Sequence, residues 1–293
     1  MDAVITYVDG NDPVWKQDYE KTTNVPVMQK RFRDWGTLKY LLRGIECRMP
    51  FIRNVYLVVS HPSQVPEWAD CENLKVVLHK DIIPAEFLPT FNCNPIEMHL
   101  HRIPGLDEEY LYFNDDMFPV GDCKPEDFFR DGKAVIGYYR HFFASGMYKK
   151  ICRNSDRLAR KALGLKPSCF FTRPQHICSP MLKSQCEELY AMVEDEIRKT
   201  SATRTRTEEN LNQYLFLDYM NYKGLVIKEK ISNKHFSVSV ASPSSLRDFL
   251  HRPTRKLVCI NDVHLSDKRY EELRDAILDA FESSFPVKSK YEL

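Results

Sequence analysis

The chain has 293 residues, 43% of them hydrophobic and 28% charged, with a formal net charge of +1. A chain of this length and apolar content buries a large core, which excludes intrinsic disorder; the near-zero net charge excludes a protein-wide field for nucleic acid or an anionic membrane, so an anionic ligand must be held by local groups. The nine Cys show no C-x-x-C spacing and read as reduced, cytosolic thiols; no leader pattern opens the chain, and no apolar run approaches the ~20 residues of a membrane helix.

AVITYV (3–8) is a β-branched run that stops at the turn formers Asp9, Gly10, Asn11 and Pro13, a strand feeding a loop. WKQDYEK (15–21) reads as ordinary surface. Apolar residues Trp35, Leu38, Leu41, Leu42, Ile45 and Met49 predict a helix over 33–49, stopped by Pro50. NVYLVVS (54–60) and LKVVLH (74–79) are continuous apolar runs, as in central parallel strands. NPIEMHLHRIPG (94–105) predicts a short helix between Pro95 and Pro104-Gly105. EYLYFNDDM (109–117) is a strand running into two adjacent carboxylates, and KAVIGYY (133–139) is a further strand. Alternating strands and crossovers predict an α/β fold: a mostly parallel sheet flanked by helices.

The second half is more helical. Helices are predicted over 181–199, over 207–224 from a Thr207 cap to Gly224, and over about 267–284. KTSATRTRT (199–207) reads as a basic loop and KLVCIND (256–262) as another strand. The simplest organisation is one continuous domain, 1–293, with halves 1–140 and 141–293.

Three predicted strand ends carry Asn/Asp groups: Asp9, Asn11 and Asp12; Asn114, Asp115 and Asp116; Asn261 and Asp262. A single such end is usually a turn or helix cap. Three on one sheet edge, where α/β sheets bind ligands, suggest a site. Adjacent carboxylates repel unless a cation shares the site, and oxygen ligands suit Mg²⁺ or Mn²⁺ with substrate phosphates. His99 and His101 are too badly oriented on a helix to share a metal, and a core histidine is the ordinary reading of either. Arg102 is a candidate anion contact, or else a helix C-terminal cation. His176 sits in the Pro-bounded loop TRPQHICSP (172–180) and is a candidate general base. Of Arg204 and Arg206, one is expected to reach a pyrophosphate, against the ordinary reading of a solvated loop.

Together these stretches resemble the Stealth family of sugar-phosphate transferases. DAVITYVDGNDPVW resembles its first conserved region. FRDWGTLKYLLRGIECRMPFIRNVYLVVS, LHKDIIPAEFLPTFNCNPIEMHLHRIPGL and YLYFNDDMF resemble the second. TRPQHICSPMLKS with TRTRTEENLNQYLFLDY resembles the third, and KLVCINDVH the fourth, so the resemblance runs from residue 2 to about 264. Cys93 and Cys178 depart from the usual pattern without removing a functional group. The resemblance implies a GT-A-like fold and transfer of a hexose 1-phosphate, often N-acetylglucosamine 1-phosphate, from a UDP-sugar to a glycan hydroxyl with release of UMP. The compact chain resembles the bacterial members that build capsular and cell-surface polysaccharide, rather than the animal Golgi relative. That implies a cytoplasmic enzyme, either free or peripheral at the inner membrane, acting on an oligosaccharide or polysaccharide acceptor that is free or lipid-linked. On this reading Asp116, supported by Asp115, holds Mg²⁺ or Mn²⁺. Asp9, Gly10, Asn11 and Asp12 surround the uridine, ribose or metal, and Asn114, Asn261 and Asp262 line the donor pocket. Arg206, with Arg102 as the second candidate, neutralises the transferring phosphate, and His176 is the base. The rivals are a GT-A glycosyltransferase releasing UDP, and a non-catalytic sugar- or nucleotide-binding module, which the joint presence of Asp116, His176 and Arg206 argues against.

Overall fold

The computed structural model describes residues 1–293, the side chains of Gln29 and Lys30 excepted. In chain order the strands are β1 (Asp2–Thr6), β2 (Val55–Val59), β3 (Leu74–Leu78), β4 (Glu109–Asn114), β5 (Met117–Pro119), β6 (Phe129–Arg130), β7 (Lys133–Val135), β8 (Tyr138–His141), β9 (Phe171–Pro174), β10 (Ser179–Leu182), β11 (Val226–Ile227), β12 (Asn233–Ser237) and β13 (Leu257–Asn261). The helices are α1 (Pro13–Thr22), α2 (Gln29–Phe32), α3 (Leu38–Arg48), α4 (His79–Ile82), α5 (Cys93–Glu97), α6 (Gly146–Ala162), α7 (Lys183–Met192), α8 (Glu194–Ser201), α9 (Tyr214–Tyr222), α10 (Pro243–His251) and α11 (Asp267–Ser284).

The central sheet has the order β10-β4-β1-β2-β3. Its inner pairings are parallel, and only β10 joins antiparallel, on the outside of β4. Every residue of β2 is buried, as its unbroken apolar run requires. The chain steps outward from β1 to β3 and then returns to the far side of β1 as β4. Crossovers therefore diverge between β1 and β4, which opens a crevice at the carboxyl ends of these two strands.

Several expected elements are divided. The run 133–139 does not extend the central sheet: β7 pairs with β6 and β11, whereas β8 pairs with β9. The break falls at Gly137, whose carbonyl accepts from the Gln175 amide at 2.7 Å. A Cβ there would lie 2.6 Å from Gln175 Oε1. The strand at 256–262 is β13, which belongs to a separate sheet ordered β12-β13-β5. The third Asn-Asp end thus reaches the crevice from another sheet and not along the same edge. Helix α3 starts only at Leu38, because Gly36 takes a φ of +70° and its amide donates to Asp34 Oδ1 at 2.9 Å. The segment 33–36 is freed as loop.

The helix expected over 181–199 gives its first residues to β10 and is split into α7 and α8 at buried Val193. Helix α9 starts at Tyr214 and not at Thr207. The Thr207 amide donates to Asn210 Oδ1, and Asn212 Oδ1 accepts from Ser155 Oγ and the Tyr214 amide, so side chains satisfy this backbone in a non-helical turn. Gly224 ends the helix in the left-handed region, φ +76°, as expected. α11 spans its predicted residues. Among the helices that escaped the sequence reading are α1, α6 and α10. α1 buries Trp15 and Tyr19 with Phe91 in a small aromatic cluster that Phe32 packs against. α6 lays Ile151, Cys152, Leu158 and Ala159 against the core.

Candidate active site

The crevice at the ends of β1 and β4 deepens into a cavity of about 850 Å³, a size suited to a nucleotide-linked ligand. Thr6, Tyr7 and Val8 line it from β1, and Asn114, Asp115 and Asp116 from β4. Four aspartates (Asp34, Asp115, Asp116, Asp262) and four arginines (Arg31, Arg33, Arg173, Arg206) share its wall.

Burial raises the Asp115 carboxyl to about 8, and the neighbouring charges of Asp116, Asp34 and Asp262 add to the effect. Asp34 is likewise raised by burial and by Asp9. Asp116 Oδ1 is buried without a hydrogen-bond partner among the described residues, while Oδ2 accepts from the Cys259 thiol at 3.4 Å. The Asp116 carbonyl accepts from the Ile260 amide at 2.9 Å, which fastens this turn to β13. The Asp262 oxygens are engaged by protein: Oδ2 accepts from Trp35 Nε1 at 3.1 Å and Oδ1 from the Val263 amide at 2.6 Å.

His176 enters between β9 and β10. Its Nε2 lies 4.0 Å from Asp116 Oδ2, and its Nδ1 is 3.2 Å from Tyr214 Oη. Tyr214 Oη is in turn 3.0 Å from Tyr148 Oη. Burial lowers the imidazole pKa below its usual value, against the raising field of Asp116, so the ring is neutral near pH 7. Arg206 donates from Nη2 to Cys93 Sγ at 2.6 Å, with buried Glu97 also in its field, and its Nε is buried without a partner among the described residues. Cys93 and Glu97 hold the guanidinium charged.

Asp116, His176 and Cys259 offer three donor atoms within 4.8 Å of one another. Burial lifts the Cys259 thiol well above its ordinary range, and the thiol donates to Asp116 Oδ2. Of these three, the Asp116 carboxylate, with its orphaned Oδ1, is the hard oxygen donor that fits a divalent cation.

Of the residues singled out in the sequence, Asn114, Asp115, Asp116, His176, Arg206, Asn261 and Asp262 meet in this cavity. The first loop does not line it. Asp12 caps α1, accepting from the Trp15 amide at 2.6 Å. Asp9 Oδ1 accepts from the Asn11 amide at 2.8 Å, and the Asp9 amide donates to Gln64 Oε1 at 2.7 Å. The Gly10 amide donates to the Phe32 carbonyl at 2.7 Å, where a Cβ would sit 2.4 Å from that oxygen. DGND therefore clamps the segment 31–35, whose Arg31, Arg33, Asp34 and Trp35 line the cavity in its place. Arg102 stacks on Tyr190, 4.6 Å from the ring centroid, away from the cavity. Both His99 and His101 are core residues with pKa values pushed down by burial to about 4 and about 3. Arg204 bonds the Glu86 and Pro89 carbonyls on the surface, leaving Arg206 to point inward. The sequence reading missed Arg31, Arg33, Asp34, Tyr148, Arg173, Asn233 and His235, all cavity-lining. Only the density of charge in KRFRD (30–34) could have marked the first three.

Residues 31–136 match Stealth protein CR2, conserved region 2, and residues 247–293 match Stealth protein CR4, conserved region 4. The whole chain is 33% identical to a capsular polysaccharide phosphotransferase, WcwK of Streptococcus pneumoniae, and covers 99% of it. The chain belongs to the Stealth family. It is also 31% identical over its full length to the receptor polysaccharide phosphotransferase WefC of Streptococcus oralis, covering 99% of that protein. For the exopolysaccharide phosphotransferase cps2G of Lactiplantibacillus plantarum the figures are 30% and 96%. The second Stealth region carries Arg31 to Asp116, hence the clamped loop and both β4 carboxylates; the fourth carries β13 and Asp262. A likeness to the galactosyltransferase LgtC, with a TM-score of 0.44 at 10% identity over 99% of this chain and 98% of that one, is too slight to argue from.

Proposed function

We propose that this Stealth protein transfers a hexose 1-phosphate from a UDP-sugar to a hydroxyl of a glycan acceptor, releasing UMP and leaving a phosphodiester in a capsular or other cell-surface polysaccharide. The observation that carries this reading is the cavity whose wall combines four aspartates with four arginines, a mixed-charge lining suited to a diphosphate and its cation. Its relatives bear phosphotransferase names, in keeping with phosphorus as the centre attacked.

On this reading the acceptor oxygen forms a bond to the phosphorus that bears the sugar. The bond from that phosphorus to the bridging oxygen breaks, and UMP leaves with the bridging oxygen. Transfer of this kind depends on positioning and charge neutralisation. Arg206, with Arg31 and Arg173, holds the phosphates. Asp116, supported by Asp115, would bind Mg²⁺ or Mn²⁺, which when bound neutralises charge on the diphosphate. Asn114, Asn261 and Asp262 shape the donor side, Asp262 through its hold on Trp35. His176 Nε2 takes the proton of the acceptor hydroxyl. For that, Nδ1 must carry the hydrogen and donate to the Tyr214 oxygen 3.2 Å away. The half 1–140 then supplies the acidic pair, Asn114 and Arg31, and the half 141–293 supplies the base together with Arg173, Arg206, Asn261 and Asp262.

The test is incubation with a panel of UDP-sugars, a soluble glycan acceptor and Mg²⁺, with the nucleotide product identified. UMP appearing with hexose 1-phosphate joined to the acceptor is expected; UDP as the product would make the protein a glycosyltransferase and overturn the proposal.

A further inference from the structure

Phe142 directly follows β8 and Phe170 directly precedes β9, and the register pairs their neighbours His141 and Phe171. The rings of Phe142 and Phe143 lie 4.6 Å apart, and those of Phe142 and Phe170 5.2 Å apart. Yet these residues are 51%, 77% and 39% exposed. Single exposed aromatic residues are normal on a protein surface; three in mutual contact are an apolar patch in search of a partner.

The charge of the segment that carries the patch departs from the rest of the chain. Between Tyr138 and Arg173 stand nine Lys or Arg and one acidic residue, Asp156, although the whole protein carries only +1. Asp156 is buried. Helix α6 turns its apolar side to the core and leaves cations on its other faces. Lys150, Arg160 and Lys161 pair with Glu208, Asp156 and Glu196. Arg140, Lys149, Arg153, Arg157 and Lys166 have no carboxylate partner within the same distance among the described residues, and Arg140 lies over the Phe170 ring, 3.9 Å from its centroid.

We propose that this face docks on an anionic lipid bilayer. Phe142, Phe143 and Phe170 enter the interfacial layer, and Arg140, Lys149, Arg157 and Lys166 lie over the headgroups, the pairing of apolar insertion with surface cations that reversible membrane binding requires. A neutral glycan would fit less well, since phenylalanine offers no hydrogen bond and the cations would stay unmatched. Tyr139 and Arg173 of the same hairpin line the cavity, so docking brings the rim of the active site to the membrane surface. The proposal goes beyond the transfer reaction and does not depend on it, because vesicle binding needs no turnover.

Flotation of the full chain with phosphatidylcholine vesicles, and with vesicles that also contain phosphatidylglycerol, tests it. Association with the anionic vesicles alone is expected, weakening as salt rises. The double variant Phe142→Ser with Phe143→Ser should lower vesicle partitioning about tenfold or more, with an unchanged unfolding temperature. Lys149→Glu with Arg157→Glu should erase the preference for phosphatidylglycerol. A wild-type chain that ignores anionic vesicles overturns the proposal, as does a phenylalanine variant that binds them like wild type. If the wild type ignores vesicles while the phenylalanine variant raises KM for a soluble glycan, the patch is a carbohydrate platform instead.

Discussion

At the scale of single residues the site is defined by two groups held against their solution behaviour. Burial and three neighbouring carboxylates push Asp115 up to about 8, which means that ionising it at neutral pH destabilises the metal-free fold. The unfolded carboxyl has its ordinary value of 3.8, so the unfolded chain binds fewer protons between 3.8 and about 8, and this contribution to stability is lost as pH rises through that window. Asp115→Asn is therefore expected to raise the stability of the metal-free protein at pH 7.5 by on the order of 2 kcal/mol, while cutting transfer; urea unfolding beside an activity assay checks both. Wild type should gain thermal stability on adding Mg²⁺, more at pH 8 than at pH 6, and a gain that shrinks with rising pH would refute the cation's place there. His176 is held low and neutral by burial. His176→Ala should lower kcat by about 10²–10⁴ with little change in KM, and near-normal turnover removes it as the base. Tyr214→Phe takes away the partner of Nδ1 and should lower kcat and shift the acidic limb of its pH profile.

Among the elements, the loop DGND shows how a motif can shape the cavity without lining it. Gly10 packs against the Phe32 backbone with no room for a Cβ. Gly10→Ala should destabilise the fold by about 1–3 kcal/mol and lower kcat together with it, because the displaced segment carries Arg31, Arg33 and Asp34 into the cavity. Unchanged denaturation and kinetics would show that the clamp has no role. Elements with strong local periodicity, β2, β3 and α11, were legible because a continuous apolar run or an amphipathic repeat has one low-energy solution. Those that failed were decided by single contacts. Asn210 and Asn212 hold backbone that propensity would have made helical, and Gly36 and Val193 cut longer helical patterns. WKQDYEK hid a helix because Trp15 and Tyr19 bury against Phe91 and Phe32, which lie far along the chain.

For the molecule as a whole, two sets of buried groups drive pH stability in opposite directions. Burial holds His79 at about 4, His99 at about 4 and His101 at about 3, against an ordinary 6.5. Below 6.5 the unfolded chain takes up protons that the folded one refuses, so each histidine removes stability as pH falls, the reverse of Asp115. His101→Phe keeps the contacts with Tyr190 and Phe216 and discards a ring whose Nδ1 is buried unpartnered. The variant should gain on wild type by up to about 1.4 kcal/mol per pH unit between pH 6 and 4, read by chemical denaturation at each pH; a constant difference would show that His101 does not titrate this way.

The sequence by itself determined the family, through motifs that resemble its conserved regions, and the parallel centre of the sheet, through continuous apolar runs. It also put forward Asp115, Asp116, His176 and Arg206, which the structure gathers in one cavity. Only the tertiary structure decided which charged groups share the cavity. It turned Asp12 into a helix cap and Arg102 into a stacking partner, brought Asp262 in from a second sheet, and recruited Arg31, Arg33, Asp34 and Arg173. The physical reason is that charges meet through the crossover between β1 and β4 and through backbone clamps such as that of Gly10. These join residues distant in the chain and leave no periodicity to read.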